Sequence, residues 1–238
     1  MSHSDSKYRL LIFGSTGAIG SESVTAALRR NWDVVAAGRK VRSVAGVTCV
    51  KVDPFGDGCG EESLATNGPY DAVCWAQGAN FNDNVFNFDL NQHLDLYKAN
   101  CLFVLVTLKI LLTRDLLTRP ARLCVVSSIW QILARQDKLS YCMTKSALQG
   151  LVSSASTDLA AEGHLLNAVL PGALDTPMTR SLLNPEQISR LEAATKFCRL
   201  PRIQDVTSLI MFLCSSENTG ITGQFIAADL GMSRVHLL

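Results

Sequence analysis

The chain has 238 residues, a formal net charge of +1 and 47% hydrophobic residues. That length suits one α/β domain, and that apolar content supports a substantial core, which excludes a disordered chain. Near-neutral charge leaves no electrostatic case for nucleic acid or an anionic membrane surface.

Met1 to Arg9 is polar and carries no apolar signal core. The longest apolar run, Cys101 to Leu112, is too short to span a bilayer and contains Lys109, so it reads as a buried helix. The eight cysteines form no C-x-x-C pair, and Cys74, Cys101, Cys124 and Cys214 sit inside apolar runs. Reduced, buried thiols of a cytoplasmic protein are expected. His3, His93, His164 and His236 are scattered without ligand spacing, so no metal site is assigned.

Tyr8 to Phe13 reads as a buried strand, and it runs into Gly14-Ser15-Thr16-Gly17-Ala18-Ile19-Gly20. A helical pattern follows, with Val24, Ala27 and Leu28 on one face. Strand, glycine turn and helix together form the context of a phosphate site: glycines let backbone amides approach a pyrophosphate, and the helix N-terminus faces the anion. A glycine turn that only packs helix on strand is the plainer alternative. Trp32 to Ala37 is a second strand ending at Gly38-Arg39-Lys40. An acid at this point would bind a ribose 2′-hydroxyl, whereas an arginine suits a 2′-phosphate. With Gly38 in the acid's place and Arg39 next, NADP(H) is favoured over NAD(H).

Val47 to Val52 is a third strand ending at Asp53-Pro54, followed by a polar loop and short helix over Phe55 to Pro69. Asp71 to Trp75 is a fourth strand, followed by Ala76-Gln77-Gly78-Ala79. Asn82 to His93 holds a loop and a helix start, and Leu94 to Leu112 is a long helix containing Asn100. Arg122 to Val126 is a fifth strand that delivers Ser127 and Ser128 at its C-terminal end, where open parallel sheets place ligands. A helix carrying Tyr141 and Lys145 continues to about Ala161. Leu166 to Leu170 is a sixth strand broken by Pro171-Gly172, and the polar, helix-prone stretch Asp175 to Pro201 is interrupted by Pro185. Val206 to Cys214 is a helix and Gln224 to Ala228 a last strand. Alternating strands and helices with short connections predict a single-domain, three-layer, doubly wound parallel sheet of Rossmann type.

Tyr141 and Lys145 are four apart, hence on one helix face. An ammonium beside a phenol favours the phenolate and lowers a pKa that starts near ~10. A phenol so tuned can exchange a proton with an alkoxide, and a serine hydroxyl in reach can hold the same oxygen. An amphipathic helix with a snorkelling lysine has the same pattern.

These motifs, in this order, resemble the short-chain dehydrogenase/reductase family, in its compact, 3-oxoacyl-carrier reductase-like branch. The resemblance runs from about residue 8 to residue 234. It implies that Gly14 to Gly20 is the nucleotide loop and that Asp53 contacts the adenine. Asn100, Ser128, Tyr141 and Lys145 would be the catalytic set, with Tyr141 and Lys145 also contacting the cofactor. Ala76, Gln77 and Gly78 lie where the family has its Asn-Asn-Ala-Gly block, of which only the glycine is kept. Pro171-Gly172 and Thr176-Pro177-Met178 would pass the nicotinamide, with about 176–202 covering the substrate. The implied activity is NADP(H)-dependent interconversion of a carbonyl and an alcohol by a homodimer or homotetramer. The excess of Arg180, Arg190, Lys196, Arg199 and Arg202 over Glu186 and Glu192 would suit a carrier-bound thioester or a phosphorylated sugar, but a solvated helix face is the favoured, plainer reading. Two alternatives stand beside it. One is a catalytically silent dinucleotide sensor. The other is a cofactor-retaining sugar-nucleotide epimerase or dehydratase, which the Gly17 spacing resembles.

Overall fold

The computed structural model describes residues 7–56, 60–176, 179–180 and 183–234. Short apolar runs form the strands β1 (Arg9–Phe13), β2 (Asp33–Gly38), β3 (Val47–Lys51), β4 (Tyr70–Trp75), β5 (Leu117–Val126), β6 (Leu165–Pro171) and β7 (Phe225–Ala228). All pair in parallel, in the order β3-β2-β1-β4-β5-β6-β7. Parallel strands covered on both faces read as unbroken apolar runs, and side chains alternate between those faces. Along β1, Leu11 and Phe13 enter the core on one side of the sheet. Leu10 and Ile12 enter the core on the other.

The first core is closed by α4 (Phe103–Thr113) through Val104 and Leu108, and by α5 (Leu139–Asp158) through Leu148 and Val152. The second is closed by α1 (Ala18–Arg29) through Val24 and Ala27, and by α7 (Ile203–Leu213) through Val206 and Ile210. The remaining helices are α2 (Glu61–Asn67), α3 (Leu90–Tyr97) and α6 (Pro185–Ala193). The strand order reverses between β1 and its neighbours β2 and β4, so a crevice opens above the C-terminal ends of β1 and β4.

Three details refine the sequence reading. The helix start expected within Asn82 to His93 falls at Leu90, where Asp89 caps it by accepting from the Gln92 amide at 2.7 Å. It then widens into a π-helical turn at Lys98–Leu102 before α4, the kind of local widening often found at functional sites. The helical stretch Leu90–Thr113 is 24 residues, longer than the apolar run Cys101 to Leu112, and long and apolar enough by length and composition to cross a membrane, a test that a buried core helix also passes. Half of its most apolar window is buried inside the fold, as in the core helix of a sheet layer. Third, β5 starts at Leu117 rather than Arg122, since Leu117 pairs with Tyr70 before a register shift.

Trp75 is fully buried at the end of β4, and its indole N–H donates to Thr107 Oγ1 on α4 at 2.8 Å. Thr107→Val keeps the shape but strands that donor in an apolar core. The change is expected to cost about 1–3 kcal/mol of unfolding free energy, read as a lower urea midpoint at unchanged slope.

Candidate active site

The loop after β1 folds over the crevice. Gly14 has φ +78°, and a side chain there would meet the Gln77 backbone nitrogen at 2.5 Å. At Gly20 a Cβ would lie 2.2 Å from the Gly14 carbonyl oxygen. Both positions therefore require glycine. Gly17 is the N-cap of α1, with no side-chain cap and no acid in the first turn. The amides of Ala18, Ile19 and Gly20 head a bare helix N-terminus, which favours an anion.

A cleft of about 910 Å³ follows this loop. It is lined by Gly14, Thr16, Gly17, Arg39, Asp53, Ala76, Gln77 and Gly78 among the expected cofactor residues. Arg39 is exposed and stands directly after Gly38, the last residue of β2. Asp53 accepts from the Phe55 amide at 3.2 Å, which turns the chain beneath the cleft. Gln77 Oε1 is buried without a hydrogen-bond partner among the described residues. A bare helix N-terminus and a basic residue after β2 fit the phosphates of a dinucleotide, and the unsatisfied Gln77 acceptor fits a hydroxyl donor such as a ribose OH. Ser15 faces a smaller cavity of about 300 Å³, shared with Thr16 and Arg42. Pro171, Gly172 and Thr176 do not line the large cleft. Gly172 is held where a Cβ would meet the Asp229 side chain at 2.9 Å, and the Thr176 hydroxyl is engaged with Thr179 at 3.0 Å. Pro177 and Met178 lie outside the described residues.

The cleft leads to the second cluster through Gly78. A Cβ there would lie 3.2 Å from Asn100 Oδ1 and 3.8 Å from Lys145 Nζ. Asn100 is buried in the π-helical turn. Its Oδ1 accepts from the Ala79 amide at 2.8 Å, and its Nδ2 donates to the Ala79 carbonyl at 3.1 Å and Thr144 Oγ1 at 2.9 Å. Both N–H donors are thus taken by protein. Lys145 Nζ donates to the Val126 carbonyl at 3.1 Å and lies 5.6 Å from the Tyr141 ring centroid. Ser128 is the N-cap of a 3₁₀ turn at Ile129–Gln131.

The tuning of Tyr141 differs from the expected direction. Burial pushes the phenol up to about 12, against an opposing pull from the Ser128 hydroxyl. Burial also holds Lys145 down to about 8. Desolvation is the largest influence on both groups, because both sit in the wall of the fold rather than in water.

Sequence reasoning missed the device that seats α5. Asp83 is buried; its Oδ1 accepts from the Ser140 amide at 3.0 Å and its Oδ2 accepts from the Ser140 hydroxyl. The Ser140 oxygen also lies 2.8 Å from His93 Nδ1. Lys138 was missed too, although its place three residues before Tyr141 puts it one turn away on the same helix side. Three of the basic residues of the 176–202 segment are engaged within the chain. Arg180 pairs with Asp175 at 2.6 Å, Arg190 with Glu186 at 2.5 Å and Arg199 with Asp205 at 2.9 Å. The positive excess expected to greet an anionic substrate there is largely cancelled.

A family model described as enoyl-(acyl carrier protein) reductase matches residues 61–233. A diacetyl reductase, (S)-acetoin forming, of Staphylococcus aureus is 38% identical over 102 residues, which are 39% of this chain and 40% of that protein. The 3-oxoacyl-(acyl-carrier-protein) reductase FabG of Rickettsia bellii is 30% identical over 155 residues, 63% of this chain and 60% of that protein. The matches thus span roughly half the length of these relatives. Among solved structures, Thermoplasma acidophilum aldohexose dehydrogenase superposes with a TM-score of 0.88 at 20% identity, covering 100% of this chain and 98% of that one. A short chain dehydrogenase family protein from Francisella tularensis does so with a TM-score of 0.86 at 21% identity, covering 96% and 100%.

Lys145 also has a stability signature. Its folded pKa of about 8 lies below the unfolded value of 10.5. Between those values the unfolded chain binds the extra proton, so this residue's contribution to stability rises with pH across that window. Lys145→Met is expected to stabilise the fold at pH 7, with the gain shrinking toward pH 10. Urea titrations of both proteins at the two pH values check it; a gain that does not change with pH would contradict it.

Proposed function

The chain belongs to the short-chain dehydrogenase/reductase family, and on that footing we propose that it is an NADP(H)-dependent oxidoreductase that interconverts a ketone or aldehyde carbonyl and an alcohol. The observation that carries this reading is the meeting at Gly78: the dinucleotide-shaped cleft ends against the side of Lys145 and Asn100, one helix turn from Tyr141. When bound, the nicotinamide cofactor supplies the hydride. The amides at the head of α1 hold its pyrophosphate, Asp53 and Phe55 flank its adenosine end, and Arg39 takes a 2′-phosphate.

At the reacting end, Tyr141 is the general acid in reduction. A phenol pushed up to about 12 is protonated at neutral pH and ready to donate. Ser128 gives a hydrogen bond to the carbonyl oxygen as it gains charge. Lys145, held by the Val126 carbonyl, faces the cofactor side and stabilises the phenolate once the proton has left. Asn100 is a positioning residue: it ties the Ala79 backbone to Thr144 on α5. The segment 176–202 covers the substrate, and the whole chain works as one domain. A cytoplasmic homodimer or homotetramer belongs to the same reading, with the exposed Leu94 and Leu105 on the α3–α4 stretch available to a second copy.

Purified protein assayed by NADPH and NADH oxidation over a panel of ketones and aldehydes tests this. Tyr141→Phe should lower turnover by about a hundredfold or more while nucleotide affinity stays within about threefold. Arg39→Leu should weaken NADPH and leave NADH little changed, shrinking the ratio of their kcat/KM values. Full turnover by the Tyr141 variant would overturn the assignment.

A further inference from the structure

We infer that Lys138 anchors a carboxylate on the substrate, so that the compound turned over is a short keto acid or hydroxy acid rather than a neutral ketone. The inference rests on the oxidoreductase reading and names its substrate class. Lys138 is 7% exposed. Its Nζ donates to Asn80 Oδ1 at 2.8 Å and to the Phe81 carbonyl at 3.2 Å. An ammonium carries three N–H donors, so one is left over. Both acceptors are neutral, and among the described residues no carboxylate pairs with it.

The nearest acid acting on it, Asp83, has both carboxylate oxygens committed to Ser140. Arg135 adds a second positive charge to the same neighbourhood. A buried charge without a counter-ion is costly. A clamp that only had to hold Asn80 and Phe81 would be served by a neutral donor.

Placement gives that charge a use. Lys138 Nζ lies 5.9 Å from the Tyr141 ring centroid, and Lys145 Nζ lies 5.6 Å from it. Lys138 precedes the tyrosine by one helical turn and Lys145 follows it by one, so the phenol is flanked by two cations along the helix. Lys145 sits beside the cleft at Gly78. Lys138 binds the backbone carbonyl of Phe81, a residue that also lines the cleft. A carboxylate one or two carbons from the reacting carbonyl would meet the free N–H while its carbonyl oxygen faces Tyr141. The charge of a carrier arm lies too many bonds away to do so, and the basic residues of the 176–202 segment that could serve it are mostly paired already.

The test compares four-carbon 2-oxo and 3-oxo acids with their methyl esters as NADPH-dependent substrates. Wild type, Lys138→Met and Lys138→Arg are measured side by side. The acid should exceed its ester in kcat/KM by about tenfold or more in wild type, the worth of one hydrogen bond to a charged partner. Lys138→Met should bring that ratio toward one, mainly through KM, and Lys138→Arg should keep it. Equal use of acid and ester by wild type, or a parallel loss of both in Lys138→Met, would overturn the inference while leaving the oxidoreductase reading intact. If neither compound is reduced, calorimetric titration of the corresponding hydroxy acids into the NADPH-loaded protein decides. Binding that Lys138→Met abolishes supports the anchor and counts against the oxidoreductase reading, and absence of binding overturns the anchor.

Discussion

Three hydrogen bonds from one buried side chain tie the two halves of the site together. Asn100 closes a reciprocal pair with the backbone of Ala79 and reaches across to Thr144. Ala79 follows β4 at the edge of the nucleotide cleft, and Thr144 sits on α5 between Tyr141 and Lys145. The position of the phenol relative to the cleft is thereby set by this amide together with the Asp83–Ser140 contacts that seat α5. The π-helical turn at Lys98–Leu102 carries that amide. Truncating Asn100 would leave the Ala79 amide without its partner in a part-buried setting.

The rest of the fold brings these groups to one place. Parallel pairing delivers Gly14, Ala76 and Ser127 at the same end of the sheet, with Gly14 bonded to Ala37 at 3.1 Å and Ala76 to Phe13 at 3.0 Å. The reversal of strand order beside β1 keeps helices from covering that end. The site carries a cost in stability. Lys145 and Lys138 are both held below the ordinary lysine range by burial. Such positions would be better filled by apolar residues if folding alone mattered. The surface ion pairs around 175–205 contribute little by comparison, since exposed pairs are worth about 0–1 kcal/mol each.

Much of this was legible in the chain. Runs such as Leu10 to Phe13 and Ala72 to Trp75 can be little else than buried strands, and Gly14, Gly17 and Gly20 marked the turn that follows β1. The Tyr141–Lys145 spacing placed two reactive groups on one helix face. What could not be read is how burial changes them: the phenol rises where charge proximity alone predicted a fall, because desolvation depends on tertiary packing. The Asn100 clip, the Asp83–Ser140 cap and the Lys138 contacts join residues 21 to 58 positions apart, beyond the reach of any periodic pattern. The pairing of the basic residues of 176–202 was hidden for a similar reason: the partners Asp175 and Asp205 lie outside the stretch whose charge was summed.

The most direct test of the central claim follows the hydride itself. Protein is incubated with NADPH carrying deuterium at the nicotinamide C4 and a short keto acid, and the product is examined by NMR. Deuterium on the carbinol carbon, in one stereochemical sense only and absent with Tyr141→Phe, is the predicted result. Nucleotide that binds the protein yet transfers no deuterium to any carbonyl offered would contradict it, and would leave the cleft as a binding site without hydride chemistry.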